Sequence, residues 1–177
     1  KLEIPESARP TTEKVREAVF SMLMGRVEGA TVLDLFAGSG SLGLEALSRG
    51  AEYCVFNEGD RKNYKILRNN IENCKAEEIS SSYNNDFRKT LVLANRKFDI
   101  IFIDPPYREG YYGEVFELID EYGLLADGGV IVVEHFNDNS LSDDICDFAK
   151  IKEAGYNLES PVIICNPEKC KSIVYSE

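Results

Sequence analysis

"TVLDLFAGSGSLGLEALSRG" occupies residues 31–50. Thr31 to Phe36 form a short β-type apolar run. The glycines at 38, 40 and 43 then make a turn into a helix that Gly50 closes. Glycine permits a tight turn and lets a ligand approach the backbone closely. A helix N-terminus facing that turn favours an anionic group. This strand–loop–helix is half of a βαβ unit, so the flanking sequence decides whether the unit repeats.

It does repeat. "YCVFN" (53–57) is a second strand, and Asp60 can cap a helix that turns Tyr64, Leu67, Ile71 and Cys74 inward. A weak strand at 79–83 precedes Asp86 and a helix expected to run to about Lys97. "FDIIFI" (98–103) is a strand, and Val115, Leu118, Ile119 and Tyr122 mark a helical face. "GVIVVE" (129–134) follows a Gly-Gly turn. Upstream, Thr11 and Thr12 are candidate caps for a helix with Val15, Ala18, Val19, Met22 and Leu23 on one face. In the tail a short helix is expected near 142–149, with strands at "PVIIC" and "SIVY". Strands alternating with helices predict an α/β, Rossmann-like doubly wound fold with a mostly parallel sheet covered on both faces. Ligands in such sheets sit at the carboxyl ends of the strands. The glycine loop, Glu58, Asp86 and Asp104-Pro105-Pro106-Tyr107 each close a strand, so they share one rim, with Asp34 inside the first strand just before it.

Composition bounds the rest. At 177 residues with 44% hydrophobic content, residues 1–177 are expected to form a single domain, with 1–25 as an N-terminal segment and helix beside the substrate site. No apolar run reaches the length of a membrane span and no secretory signal is visible, which points to the cytoplasm and away from membranes. The chain starts at Lys1 without methionine, so a preceding piece is expected. Five cysteines without metal spacing and a single histidine, His135, give no zinc site and no histidine triad; no metal is expected. The net charge of −11 opposes general affinity for nucleic acid. Lys1, Arg9, Lys14 and Arg16 leave the first residues slightly positive.

The glycine loop supports two readings. Gly38-Ser39-Gly40-Ser41-Leu42-Gly43 is literally G-x-G-x-x-G, and Glu58 ends the next strand, as in a dinucleotide fingerprint for NAD. Asp34 argues against a pyrophosphate, which a carboxylate in the same cavity would repel. It suits a nucleoside carrying positive charge, such as S-adenosylmethionine. Glu58 could hold ribose hydroxyls through two charge-assisted hydrogen bonds. Asp34 followed by Phe36, Ala37, Gly38, Ser39 and Gly40 is the loop pattern of class I methyltransferases.

"RPTTEKVREAVFSML" (9–23), "VLDLFAGSGSLGLEALSRGA" (32–51), "VFNEGDRKN" (55–63) and "FDIIFIDPPY" (98–107) occur in order. Together they resemble the bacterial 16S ribosomal-RNA guanine-N2 methyltransferases, over about residues 7–134. The resemblance implies a seven-stranded sheet and S-adenosylmethionine as cofactor. It implies that Glu58 holds the ribose, Asp86 the adenine amino group, and that Phe87 flanks the adenine. Arg9, Thr11 and Thr12 would lie near the target base, with Arg108 as a further substrate contact. The partner would be ribosomal RNA in a partly assembled small subunit, met by a monomer. Asn57 and Gly59 depart from the family, where apolar and polar residues respectively are usual. The basic opening strand and a Tyr-Gly-x-Thr hairpin are also missing.

Asp104-Pro105-Pro106-Tyr107 has a chemical rationale of its own. The amine of a nucleobase is a poor nucleophile because its lone pair is delocalised into the ring. The Asp104 carboxylate and the Pro105 carbonyl could accept both amine hydrogens and orient that lone pair. Pro105 and Pro106 would hold the carbonyl rigidly. Tyr107 could stack on a flipped base, a contact worth roughly 1–3 kcal/mol. Such a motif serves planar nitrogens generally, so DNA adenine or a protein amide are alternative targets. Tyr111 and Tyr112 either line the base pocket or begin the next helix with one ring buried.

Overall fold

The computed structural model describes residues 2–4, 13–105, 111–136, 144–145, 148–153 and 159–165. In chain order these give α1 (Glu13–Met22), β1 (Thr31–Asp34), α2 (Ser41–Ser48), β2 (Tyr53–Asn57), α3 (Arg61–Asn73) and β3 (Ser80–Tyr83). They continue with α4 (Phe87–Leu93), β4 (Phe98–Ile103), α5 (Tyr112–Glu121), β5 (Leu125–Phe136), β6 (Asp144–Ile145), β7 (Phe148–Glu153) and β8 (Glu159–Cys165). One sheet runs in the order β3-β2-β1-β4-β5-β8-β7-β6. The first five strands in this order pair in parallel. The last three join antiparallel. Seven strands were expected; among the described residues there are eight, of which β6 and β7 were not expected.

Alternation along the strands builds two cores. Val32, Cys54, Phe56, Ile100, Phe102, Val130 and Val132 face α1, α2 and α3, meeting Val19, Phe20, Leu42, Leu44, Leu67 and Ile71. Leu33, Val55, Ile101, Ile103, Ile131 and Val133 face α4 and α5, meeting Phe87, Leu91, Val115, Phe116 and Ile119. The sheet is therefore wound on both faces, because successive side chains in a strand point to opposite sides. The chain reverses direction across the sheet between β1 and β4, which lie side by side. That adjacency is the topological switch point where α/β sheets open a crevice.

Three local expectations change. The helix after Asp86 stops at Leu93 because Ala94 leaves the helical region, so that the chain can enter β4 at Phe98. Gly128 and Gly129 lie inside β5, where the pairing with β4 shifts register between Phe98 and Ile100. A side chain at Gly129 would come within 3.0 Å of the Ala126 and Phe98 carbonyls, so the glycine serves a bulge rather than a turn. The segment expected as a helix near 142–149 contains β6 and the start of β7, because β8 offers β7 an antiparallel partner. Non-local pairing overrides a short helical pattern. "SIVY" lies outside the described residues.

Candidate active site

The carboxyl ends of β1 to β4 form the rim. The loop after β1 is fixed first by backbone bonds: the Leu35 N–H donates to the Phe102 carbonyl (3.2 Å) and the Ala37 N–H to the Asn57 carbonyl (2.9 Å). Gly38 and Gly40 both have positive φ, 53° and 82°. They differ in surroundings. A Cβ on Gly40 would meet Leu67 of α3 at 2.6 Å, whereas Gly38 has nothing within 4 Å. Gly40 thus allows close helix packing, and Gly38 presents bare backbone to a ligand. At Gly43 a Cβ would strike Phe56 at 2.2 Å, so the third glycine lets α2 lie against β2.

The two carboxylates behind the loop are arranged differently from expectation. Asp34 is 3% exposed, and its Oδ2 accepts the Gly43 N–H of α2 at 2.9 Å. It is turned inward to the first turn of α2. Burial pushes its carboxyl up to about 7, the Gly43 bond opposes this, and the charge of Glu58 adds to it. Glu58 is half-buried at the end of β2, with Oε2 accepting the Gly38 N–H (2.8 Å) and Oε1 the Asp60 N–H (2.8 Å). Its carboxyl is also raised, chiefly by desolvation. Each oxygen keeps a further acceptor position, so Glu58 can receive two hydroxyls while its backbone bonds fix the direction.

A cluster of aromatic rings lies on the same rim. Phe36 lies 5.4 Å from Phe87 and stacks on Tyr111 with centroids 6.3 Å apart and planes 2° apart. Tyr111 immediately precedes α5 and its ring packs on both phenylalanines, so it joins the cofactor side of the rim and the helix start at once. Tyr112 is the first residue of α5 and packs against the second core. Asp86 caps α4 by accepting the Arg88 N–H at 3.0 Å. The Arg88 guanidinium bonds Asp86 and Glu114 and lies 4.4 Å over the Phe87 ring. Across the switch point, half-buried Asp104 and buried Pro105 directly follow β4, beside β1. Pro106, Tyr107, Arg108, Arg9, Thr11 and Thr12 lie outside the described residues.

Sequence reasoning missed how the rim is held. Asn57 is 1% exposed; its Nδ2 donates to the Leu35 and Asn85 carbonyls (both 3.2 Å) and its Oδ1 accepts the Thr90 hydroxyl (2.6 Å). One amide therefore ties the ends of β1, β2 and β3 to α4. Asn84 adds bonds to the Glu58 and Gly59 carbonyls at 2.7 and 3.0 Å. Asn70, fully buried on α3, donates to the Ser39 carbonyl at 2.9 Å. The available signal was an amide on an apolar stripe: Asn70 is three residues from Leu67 and next to Ile71.

Chemically the rim fits a positively charged nucleoside better than a dinucleotide. Two carboxylates, Glu58 and Asp86, follow the adjacent strands β2 and β3, with open space beside the Gly38 backbone. A pyrophosphate would meet Glu58 where it bonds the Gly38 N–H.

The model of the family described as conserved hypothetical protein 95 matches residues 1–164. A Bacillus subtilis protein described as a candidate rRNA methyltransferase is 39% identical over 160 residues, covering 89% of this chain and 87% of its own. The ribosomal RNA small subunit methyltransferase D of Escherichia coli K12 is 40% identical over 143 residues, covering 80% of this chain and 72% of its own. Among solved structures, an Escherichia coli protein described as a candidate methyltransferase superposes with a TM-score of 0.83 at 33% identity, covering 92% of this chain and 89% of that one. The chain belongs to this family of class I S-adenosylmethionine-dependent methyltransferases, which includes the small-subunit ribosomal RNA methyltransferases D.

Proposed function

We propose that the protein methylates the exocyclic N2 amine of a guanine in small-subunit ribosomal RNA. The observation that supports this reading is that Gly38, Glu58 and Phe87, after β1 to β3, share one rim with Asp104-Pro105, after the neighbouring β4. The relatives named as ribosomal RNA methyltransferases supply the substrate class. S-adenosylmethionine, when bound, supplies an electrophilic methyl group. Glu58 holds its ribose, Asp86 its adenine amine, and Phe87 the ring face, with Asp34 and Phe36 to Gly40 shaping the loop. Asp104 and the Pro105 carbonyl accept the two hydrogens of the target amine and aim its lone pair. Pro106 stiffens the turn, Tyr107 stacks on the base, and Arg9, Thr11, Thr12 and Arg108 hold the surrounding RNA.

The whole chain acts as one cytoplasmic, monomeric domain. With a net charge of −11 it has little free positive charge to displace counterions from naked RNA. A partly assembled subunit, pre-shaped by its basic proteins, is the better substrate. Two measurements test the reading. S-adenosylhomocysteine at a hundredfold excess over Kd raises stability by about 2.7 kcal/mol and NAD does not; the reverse pattern sinks the cofactor assignment. Asp104→Ala lowers turnover on subunit particles by at least about a hundredfold while homocysteine-product affinity stays within a few fold. Near-normal turnover by that variant rejects the amine-acceptor role.

A further inference from the structure

Asn70 sits in the interior of α3, where an amide gains nothing from the helix and a buried one is costly unless bonded. Its side chain uses three bonds to solve this. Oδ1 accepts the Glu3 N–H at 2.8 Å, and Nδ2 donates to the Glu3 carbonyl at 2.8 Å and to the Ser39 carbonyl at 2.9 Å. With Glu3 the amide makes the two-bond exchange that paired residues of neighbouring strands make. Leu2, next in the chain, packs against the core beneath α1 to α3. The remaining amide hydrogen goes to Ser39, between bare Gly38 and tightly packed Gly40.

We propose that Asn70 is a positioning residue coupling residues 2–4 to the cofactor loop, so that a ligand at Gly38 also fixes the Glu3 backbone. This rests on the reading of the glycine loop as the cofactor site. Both hydrogens of one NH2 group are committed, one to each partner. A shift of the Ser39 carbonyl therefore moves the Glu3 pairing, and the reverse holds with equal coupling free energy.

Amide hydrogen exchange of the full chain, with and without saturating S-adenosylhomocysteine, tests the link at the Glu3 N–H. In the wild type the ligand slows exchange at Glu3. Asn70→Leu, which removes both arms, and Asn70→Asp, which keeps the acceptor but loses both donors, abolish that slowing and weaken ligand affinity by about tenfold. Glu3→Pro, which leaves the loop intact and removes the Glu3 N–H together with the exposed carboxylate bond to Asn69, weakens ligand affinity by about threefold, and less than additively when combined with Asn70→Asp. If Asn70→Leu fails to fold, Glu3→Pro and the wild-type exchange data decide. Ligand binding with unchanged Glu3 exchange, or full affinity in Glu3→Pro, overturns the coupling and spares the cofactor site. No ligand binding by the wild type overturns both.

Discussion

The loop after β1 and the corner between β3 and α4 lie on the same rim, yet they are held by different means. The loop is anchored from beneath by buried groups: Asp34 at 3%, Asn57 at 1% and Asn70 at 0% exposure, each bonding backbone. The corner shares one of these buried anchors, since Asn57 also bonds the Asn85 carbonyl and the Thr90 hydroxyl, but it is otherwise dressed from outside. Its side chains Arg88, Asp86 and Glu114 are 43%, 58% and 41% exposed, and they bond mainly one another. Water competes for the second set and is excluded from the first. A buried donor or acceptor that loses its partner keeps its full desolvation penalty, whereas an exposed ion pair is replaced by hydration. The difference predicts that rigidity of the rim comes from the loop side, and that substitutions there cost far more.

The strongest way to break that contrast is Asn57→Leu. Leucine fills similar space but strands the Thr90 hydroxyl and two carbonyls. We expect a loss of about 3 kcal/mol in urea unfolding at unchanged m-value. A loss below about 1 kcal/mol would mean that the buried network carries little. Glu58→Ala comes next and sharpens the comparison, because Glu58 belongs to both sides: it bonds the loop at Gly38 and the start of α3 at Asp60. Affinity for S-adenosylhomocysteine should fall about a hundredfold, close to 2.7 kcal/mol, while folding stability changes less than that. Calorimetry showing unchanged affinity would place the ribose elsewhere.

How much of this contrast was legible beforehand depends on the range of the interactions. The β1–loop–α2 unit was plain in residues 31–50, because glycine spacing and strand periodicity are local. The parallel pairing of the first five strands followed from their alternation with helices, whereas their order in the sheet did not. Asn57 was visible only as a polar residue at an otherwise apolar strand end, since its partners Leu35, Asn85 and Thr90 belong to three other segments. Asp34 was placed on the rim correctly but aimed at the cavity; only the docking of α2 shows that Gly43 takes its oxygen. The tail was misread at 142–149 because β7 gets its conformation from a neighbour, β8, rather than from its own residues.

Asp34 gives the contrast a pH dependence. Its folded value of about 7 lies above the ordinary 3.8, so the folded state holds the proton more tightly than the unfolded chain. The stability it contributes is complete below about pH 4 and is lost as pH rises through 7. Glu58 is shifted in the same direction. Asp34→Asn keeps an oxygen for the Gly43 N–H and removes the titration. Between pH 4 and 7.5 the wild type should lose on the order of 4 kcal/mol relative to this variant. Parallel stability curves for the two proteins would show that Asp34 does not carry the proton.

The smallest effect is expected on the exposed side, from Arg88→Gln. Arg88 bonds Asp86 and Glu114 and covers the rings of Phe87 and Tyr111, the latter at 5.5 Å, so by contact count alone it would rank with the buried amides. Exposure reverses that ranking. The strong bond to Glu114 raises the guanidinium further above its usual range, so it stays charged at any working pH and contributes no pH dependence of its own. The glutamine can still lie across Phe87, and both freed carboxylates can turn to water. Arg88→Gln should therefore shift the urea midpoint least of the four variants and leave S-adenosylhomocysteine affinity within about twofold. Raising salt to about 1 M, where the screening length is near 3 Å, should remove most of whatever difference from wild type remains. A salt-insensitive loss as large as that of Asn57→Leu would show that the corner is held as firmly as the loop, and that burial is not what separates the two halves of the rim.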